Sequence, residues 1–195
     1  MTADTAGAVF PAETVLSDGS VYRVVPVEAG VRAIRAWAEY PWPMSPAQAL
    51  ALRDRLGWTS SPTDEEMFTT DHGIGEKDAW FIAVEAGEDT RTVVSFRMSL
   101  TSRIPKDVMD EAVPIAERAF DAYVEALTAI YGQGKRGKRK QHASMRWTLP
   151  SDASVRIGTV SWLISISITS PAGNEIARGE AQYFDEIADE NDPAR

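Results

Sequence analysis

The apolar positions of this chain repeat with two periods, and the order in which those periods occur predicts the fold. Val21 to Val25 alternates enough for a short strand, and Val31, Ile34, Trp37 and Ala38 then recur at helical spacing until Pro41 and Pro43 end the helix. Ser45 before Pro46 reads as the N-cap and first residue of a second helix, with Leu52 and Leu56 on one face. Gly57 closes that helix, and Trp58 is placed to fold back onto its last turn. A polar turn from Thr59 to Asp64 precedes Met67 to Thr70, which reads as an edge strand. Trp80, Ile82 and Val84 alternate with Phe81, Ala83 and Glu85, and a turn follows at Gly87, Glu88 and Asp89. Val94, Phe96, Met98 and Leu100 then alternate with Ser95, Arg97 and Ser99, as expected of an antiparallel hairpin with one dry and one wet face.

Pro105 ends that strand, and Pro114 is expected to open the main helix, whose stripe of Ile115, Ala119, Tyr123, Leu127 and Ile130 stops at Gly132. Beyond a basic loop come three strands, marked by Met145, Trp147 and Leu149, by Val155 and Ile157, and by Trp162, Ile164, Ile166 and Ile168. Asn174 is expected to cap a last helix in which Ile176, Tyr183, Phe184 and Ile187 share a face. Strands joined by short turns, with helices segregated between the groups, predict an α+β fold. Its antiparallel sheet of five to six strands is covered by a long central helix, with additional N-terminal and C-terminal helices. The expected organisation is a loosely held segment over 1–20, one domain over 21–188 and an acidic tail over 189–195.

Composition narrows the chemistry. A chain of 195 residues buries roughly 70% of the surface it exposes when unfolded, and 44% hydrophobic residues with six Trp supply that core. Trp37, Trp80, Trp147 and Trp162 are assigned to it. The absence of cysteine excludes disulfides, thiolate zinc, iron–sulfur clusters and a Cys nucleophile. No signal-like segment and no membrane-length apolar run is evident, so a cytoplasmic protein away from membranes is expected. With 29 acidic against 20 basic residues the formal charge is -9, which disfavours nucleic acid as a partner and also serves plain solubility.

Each chemical motif competes with a plainer explanation. Gly132 to Arg139 matches G-x-G-x-x-G and most of a phosphate-binding loop, but it follows a helix and precedes a strand, the reverse of what phosphate binding needs. The same segment concentrates Lys135, Arg136, Lys138, Arg139 and Lys140; it reads as a solvated connector or as a docking site for an acidic partner. Two histidines are too few for a metal cage. Asp71 and His72 are candidate partner-binding residues and could also form an acid–base pair, although adjacent residues usually point apart and no nucleophile elbow supports it. Trp42, between Pro41 and Pro43, is either an exposed anchor or a packing residue. No catalytic set and no cofactor is expected.

The helix end from Leu127 to Gly132, the strand at Trp147-Thr148-Leu149-Pro150 and the strand from Ile164 to Ile168 resemble, as an arrangement, small actinobacterial immunity-type proteins. These are acidic α+β domains paired with secreted toxins, such as immunity factors for NAD-degrading toxins. The likeness spans Leu50 to Phe184 as architecture and carries over no functional residue. It implies a non-enzymatic protein-binding module that occludes a partner toxin. A secretion-associated chaperone or adaptor is the alternative, and a hydrolase using the Asp71-His72 loop comes third.

Overall fold

The structure is a computed structural model, and it describes residues 13–87, 90–139 and 142–190. In chain order the strands are β1 (Glu13–Val15), β2 (Val21–Arg23), β3 (Thr59–Ser60), β4 (Met67–Thr69), β5 (Ala79–Gly87), β6 (Thr90–Ser99), β7 (Lys135–Arg139), β8 (His142–Thr148), β9 (Ser154–Val160) and β10 (Leu163–Thr169). The helices are α1 (Val27–Ala38), α2 (Pro46–Arg55), α3 (Met109–Tyr131) and α4 (Pro171–Glu190). The fold is α+β, as the periodicities predict. Its main sheet has eight strands rather than five to six, in the order β3-β4-β5-β6-β10-β9-β8-β7. The neighbouring strands are all antiparallel.

Local sequence explains most boundaries. Ser45 and Gln48 form a reciprocal capping box ahead of α2, with Pro46 at its first position. At the other end Gly57 takes φ +74, its N–H bonds Asp54 O at 3.0 Å and the Trp58 N–H bonds Arg53 O at 3.2 Å, which together make a Schellman cap. Trp58 is thereby delivered into the core at 5% exposure.

One face of the sheet is dry. Trp37 of α1 stacks on Phe96 of β6 with ring centroids 4.0 Å apart and planes 6° apart, and Trp58 and Phe68 complete the stack. Beside it, Ile115, Tyr123 and Leu127 of α3 meet the buried Ile157, Ile164 and Trp147 in one core. Gly30 lets α1 and α3 approach closely: a Cβ there would lie 2.1 Å from the Tyr123 hydroxyl, which donates to Val25 O at 2.9 Å.

The structure corrects several expectations. Pro114 lies inside α3 and does not open it; a 3-10 turn over Lys106–Val108 leads into a helix that starts at Met109, and the buried Val108 and Ala112 hold this early turn to the core. Ile130, expected on the apolar stripe, is 41% exposed. Asn174 does not cap α4: Ser170 does, accepting the Gly173 N–H at 3.0 Å, with Pro171 at the first helical position as in α2. Thr59 and Ser60, expected in a turn, pair with β4 and displace it from the sheet edge. A register shift between Ile82 and Ala83 buries Val93 in place of Val94. Trp80 is half-buried on the opposite face from Phe81, and Trp162 is half-buried in the β9–β10 turn rather than in a strand. In the segment expected to be loose, Glu13–Val15 pairs with β2 and Leu16 is buried. Strand β6 is described from Thr90, and the expected turn at Glu88 and Asp89 lies outside the described residues.

The basic segment is the largest departure. Lys135–Arg139 is not a connector but the edge strand of the main sheet, paired with β8 from Lys135↔Arg146 to Arg139↔His142.

Candidate functional site, the open face of the sheet

Because side chains alternate along each strand, the pairing registers fix what the uncovered face of the sheet displays. One transverse row runs Trp80, Arg97, Ser167, Arg156, Arg146, Lys135 across β5, β6, β10, β9, β8 and β7. At about 4.8 Å between strands, this row spans about 24 Å. The next row reads Ser99, Ser165, Gly158, Ser144, Gly137. Neither row holds an acidic residue, in a chain whose formal charge is -9.

Among the described residues, most of this positive charge has no carboxylate partner. The arginines in ion pairs among the described residues are Arg23, Arg32, Arg35, Arg53, Arg91, Arg136 and Arg178. Arg97, Arg156 and Lys135 are in none of these pairs. Arg146 bonds only neutral groups, donating to Ser154 Oγ at 3.1 Å and Asn174 Oδ1 at 2.8 Å. The first turn of α4 lies against this end of the face, and Ser154 Oγ also donates to Asn174 Oδ1. Like charges directly opposite one another on a sheet are destabilising, so Arg146 between Arg156 and Lys135 is a cost that folding alone does not explain. Between Arg97 and Arg156 the surface dips into a pocket of about 330 Å³ floored by Ser165, Ser167 and Gly158, with His142 at the rim.

The predicted site residues separate into two groups. Lys135 joins the open face, whereas Arg136, one position on, turns to the α3 side and approaches Asp121 at 3.8 Å. There it lines a cleft of about 630 Å³ with Asp110, Glu117 and Asp121. Lys138 and Arg139 occupy register positions opposite Ala143 and His142, and Lys140 lies outside the described residues. Trp42 is half-buried and packs against the core beside Pro43 and the start of α4.

Asp71 and His72 lie apart from this face, and they do not point away from each other: His72 Nδ1 is 3.4 Å from Asp71 Oδ1. That carboxylate also accepts the Trp58 indole N–H at 3.1 Å, and the Trp58 ring meets His72 edge-on. Nε2 of His72 is buried with no hydrogen-bond partner among the described residues. Burial holds the imidazole below its ordinary pKa, against the pull of Asp71 and Asp78. Burial likewise raises the Asp78 carboxyl, which accepts from the Thr70 N–H at 2.7 Å and from the Thr70 hydroxyl.

Arg97, Arg156 and Arg146 were missed as site residues because a search for clusters along the sequence cannot see a row assembled by register. The usable signal was the wet alternation of Ser95, Arg97 and Ser99 on one strand and of Ser165, Ser167 and Thr169 on another.

Among the described residues, no helix is long and apolar enough to cross a membrane. No curated protein and no solved structure matches the chain. A family model does match over residues 28–170, from α1 through β10 and so across the open face, and on that match the chain belongs to DUF6301, a family of unknown function.

Proposed function

We propose that this protein is a non-enzymatic binding module that captures an acidic partner protein on the open face of its sheet. The observation that carries the reading is the row of Arg97, Arg156, Arg146 and Lys135, which has no carboxylate partner among the described residues and lies on the open face of an otherwise acidic chain. A negative patch laid across that row gains charge complementarity and relieves the like-charge crowding. The molecule's overall charge repels a long polyanion, so a protein with a local acidic surface fits better than nucleic acid. In the immunity or antitoxin form of this reading, the face covers the substrate cleft of a toxin and blocks it by occlusion.

A secretion-associated chaperone or adaptor is the second reading, and β7 favours it. An edge strand offers unpaired backbone groups to an extended client, which adds as a further strand.

Co-expression with the products of adjoining genes tests the proposal. The expected result is a stable one-to-one complex with an acidic partner that weakens as salt is raised. Loss of a toxic activity in that complex selects the immunity form, whereas an unfolded client selects the chaperone form. A chain that stays alone beside every neighbouring product, or a complex indifferent to salt, contradicts it.

A further inference from the structure

We propose that the pocket between Arg97 and Arg156 receives a phosphoryl group borne by the docked partner. This rests on the reading of the open face as a docking surface, and it names the group that surface recognises.

Gly158 is paired with Ser165 on one side and Ser144 on the other, in mid-strand. Its backbone is not in the left-handed region that favours glycine. A Cβ there would meet only Ala143 O and Ser144 Cβ, both at 3.8 Å, an ordinary contact. Neither conformation nor packing therefore requires glycine, which weakens a strand interior and often marks a close approach by a ligand. A side chain at this position would stand in the pocket, on the floor beside Ser165 and Ser167.

The groups around that floor define the ligand. Arg97 and Arg156 are two strands apart with Ser167 between them, about 10 Å from backbone to backbone, so their guanidinium groups flank one central space. Each guanidinium has five N–H donors and no acceptor, and each serine adds a hydroxyl. A single carboxylate has one charge and two oxygens, too few for this set. A phosphoryl group offers close to two negative charges and three oxygens, matching two arginines and two hydroxyls. The pocket, about 330 Å³, is at the small end for a site that buries a free molecule, and it opens onto a broad exposed face. A phosphoryl group carried on a docking protein is instead closed over by the body that bears it.

The test uses the full chain and a dye-labelled peptide, Glu-Glu-phosphoserine-Glu-Glu, beside its unphosphorylated serine counterpart. Binding is read by anisotropy and by the amide resonances of Gly158, Ser165 and Ser167. The phosphopeptide is expected to bind about tenfold or more tightly than the serine peptide, the ratio that one charge-assisted contact supplies. It should shift those three amides, and inorganic phosphate should compete. G158V, a strand-favouring residue on a wet face, should remove the preference, as should R97Q/R156Q, which carries the test if G158V fails to fold. Equal affinity for the two peptides, or a preference that survives G158V and R97Q/R156Q, overturns the proposal. So does inorganic phosphate shifting the three amides when the phosphopeptide does not, because the site then takes a free anion. If the pocket fails while R97E/R156E still abolishes a partner complex, the docking face stands without it. If that complex survives R97E/R156E, the docking reading fails as well.

Discussion

The two faces of the main sheet are built from the same strands, residue by alternate residue, yet they answer to different physics. Over most of the covered face packing decides each position: Trp37, Phe96, Phe68 and Trp58 stack, and α3 closes over Ile157, Ile164 and Trp147. On the open face Ser95, Ser99, Ser165 and Ser167 alternate with that core, and four cations cross them in one row. The difference separates what folds the chain from what the chain has to offer. The covered face is resolved by its own contacts. The open face leaves charge unanswered, and an unanswered charge row is what a partner would complete.

The sharpest way to break this division is to cut into the covered face. Phe96→Ala removes the ring against which Trp37 lies and should cost about 3–5 kcal/mol, read as a lower midpoint in urea unfolding. A smaller loss would mean that the stack is not the centre of the core. Gly30→Val forces a branched side chain into the Tyr123 hydroxyl and should cost about 1–3 kcal/mol, because α1 must move off α3. An unchanged melting temperature would show that the two helices tolerate separation.

A pH series probes the half-buried His72 at the edge of the dry region. His72 has its pKa lowered by burial, so the unfolded chain binds its proton more readily than the folded one does. Stability from this group is therefore intact above about pH 6.5, its ordinary pKa, and declines as pH falls through that value towards the lower folded one. Asp78 acts with the opposite sign: its raised pKa favours the folded state as pH falls through the carboxylate range. Melting temperatures at pH 7.5 and 5.5 should fall in the native chain and fall less in His72→Gln. An equal drop in both would assign the loss elsewhere.

The smallest stability effect belongs to the open face. R97Q/R156Q should shift unfolding by no more than about 0.5 kcal/mol, since neither side chain is in an ion pair among the described residues. A loss of several degrees in Tm would mean that the row is structural.

Legibility in the sequence follows the same division. The hairpin of β5 and β6, the caps of α2 and the stripe of α3 could be read because each is written in local spacing: Ser45 and Gln48 are three residues apart, and Tyr123 and Leu127 are four apart. Strand β7 could not. Lys-Arg-Gly-Lys-Arg has neither an apolar alternation nor a β-branched residue, and it is extended only because β8 pairs with it. Pro114 misled because a proline near a helix start reads as its first residue, whereas the burial of Val108 and Ala112 carries the helix back to Met109. The candidate site was the least legible part. Arg97 and Arg156 are separated by a long helix and two strands, and become neighbours only through the insertion of β10 between β6 and β9.

If the open face binds a partner, reversing its charge must abolish that binding. R97E/R156E should purify with an unchanged melting temperature and lose the one-to-one complex with its acidic partner by at least about tenfold in Kd, the equivalent of one charge-assisted contact. A variant that folds and binds as the native chain does would contradict the account.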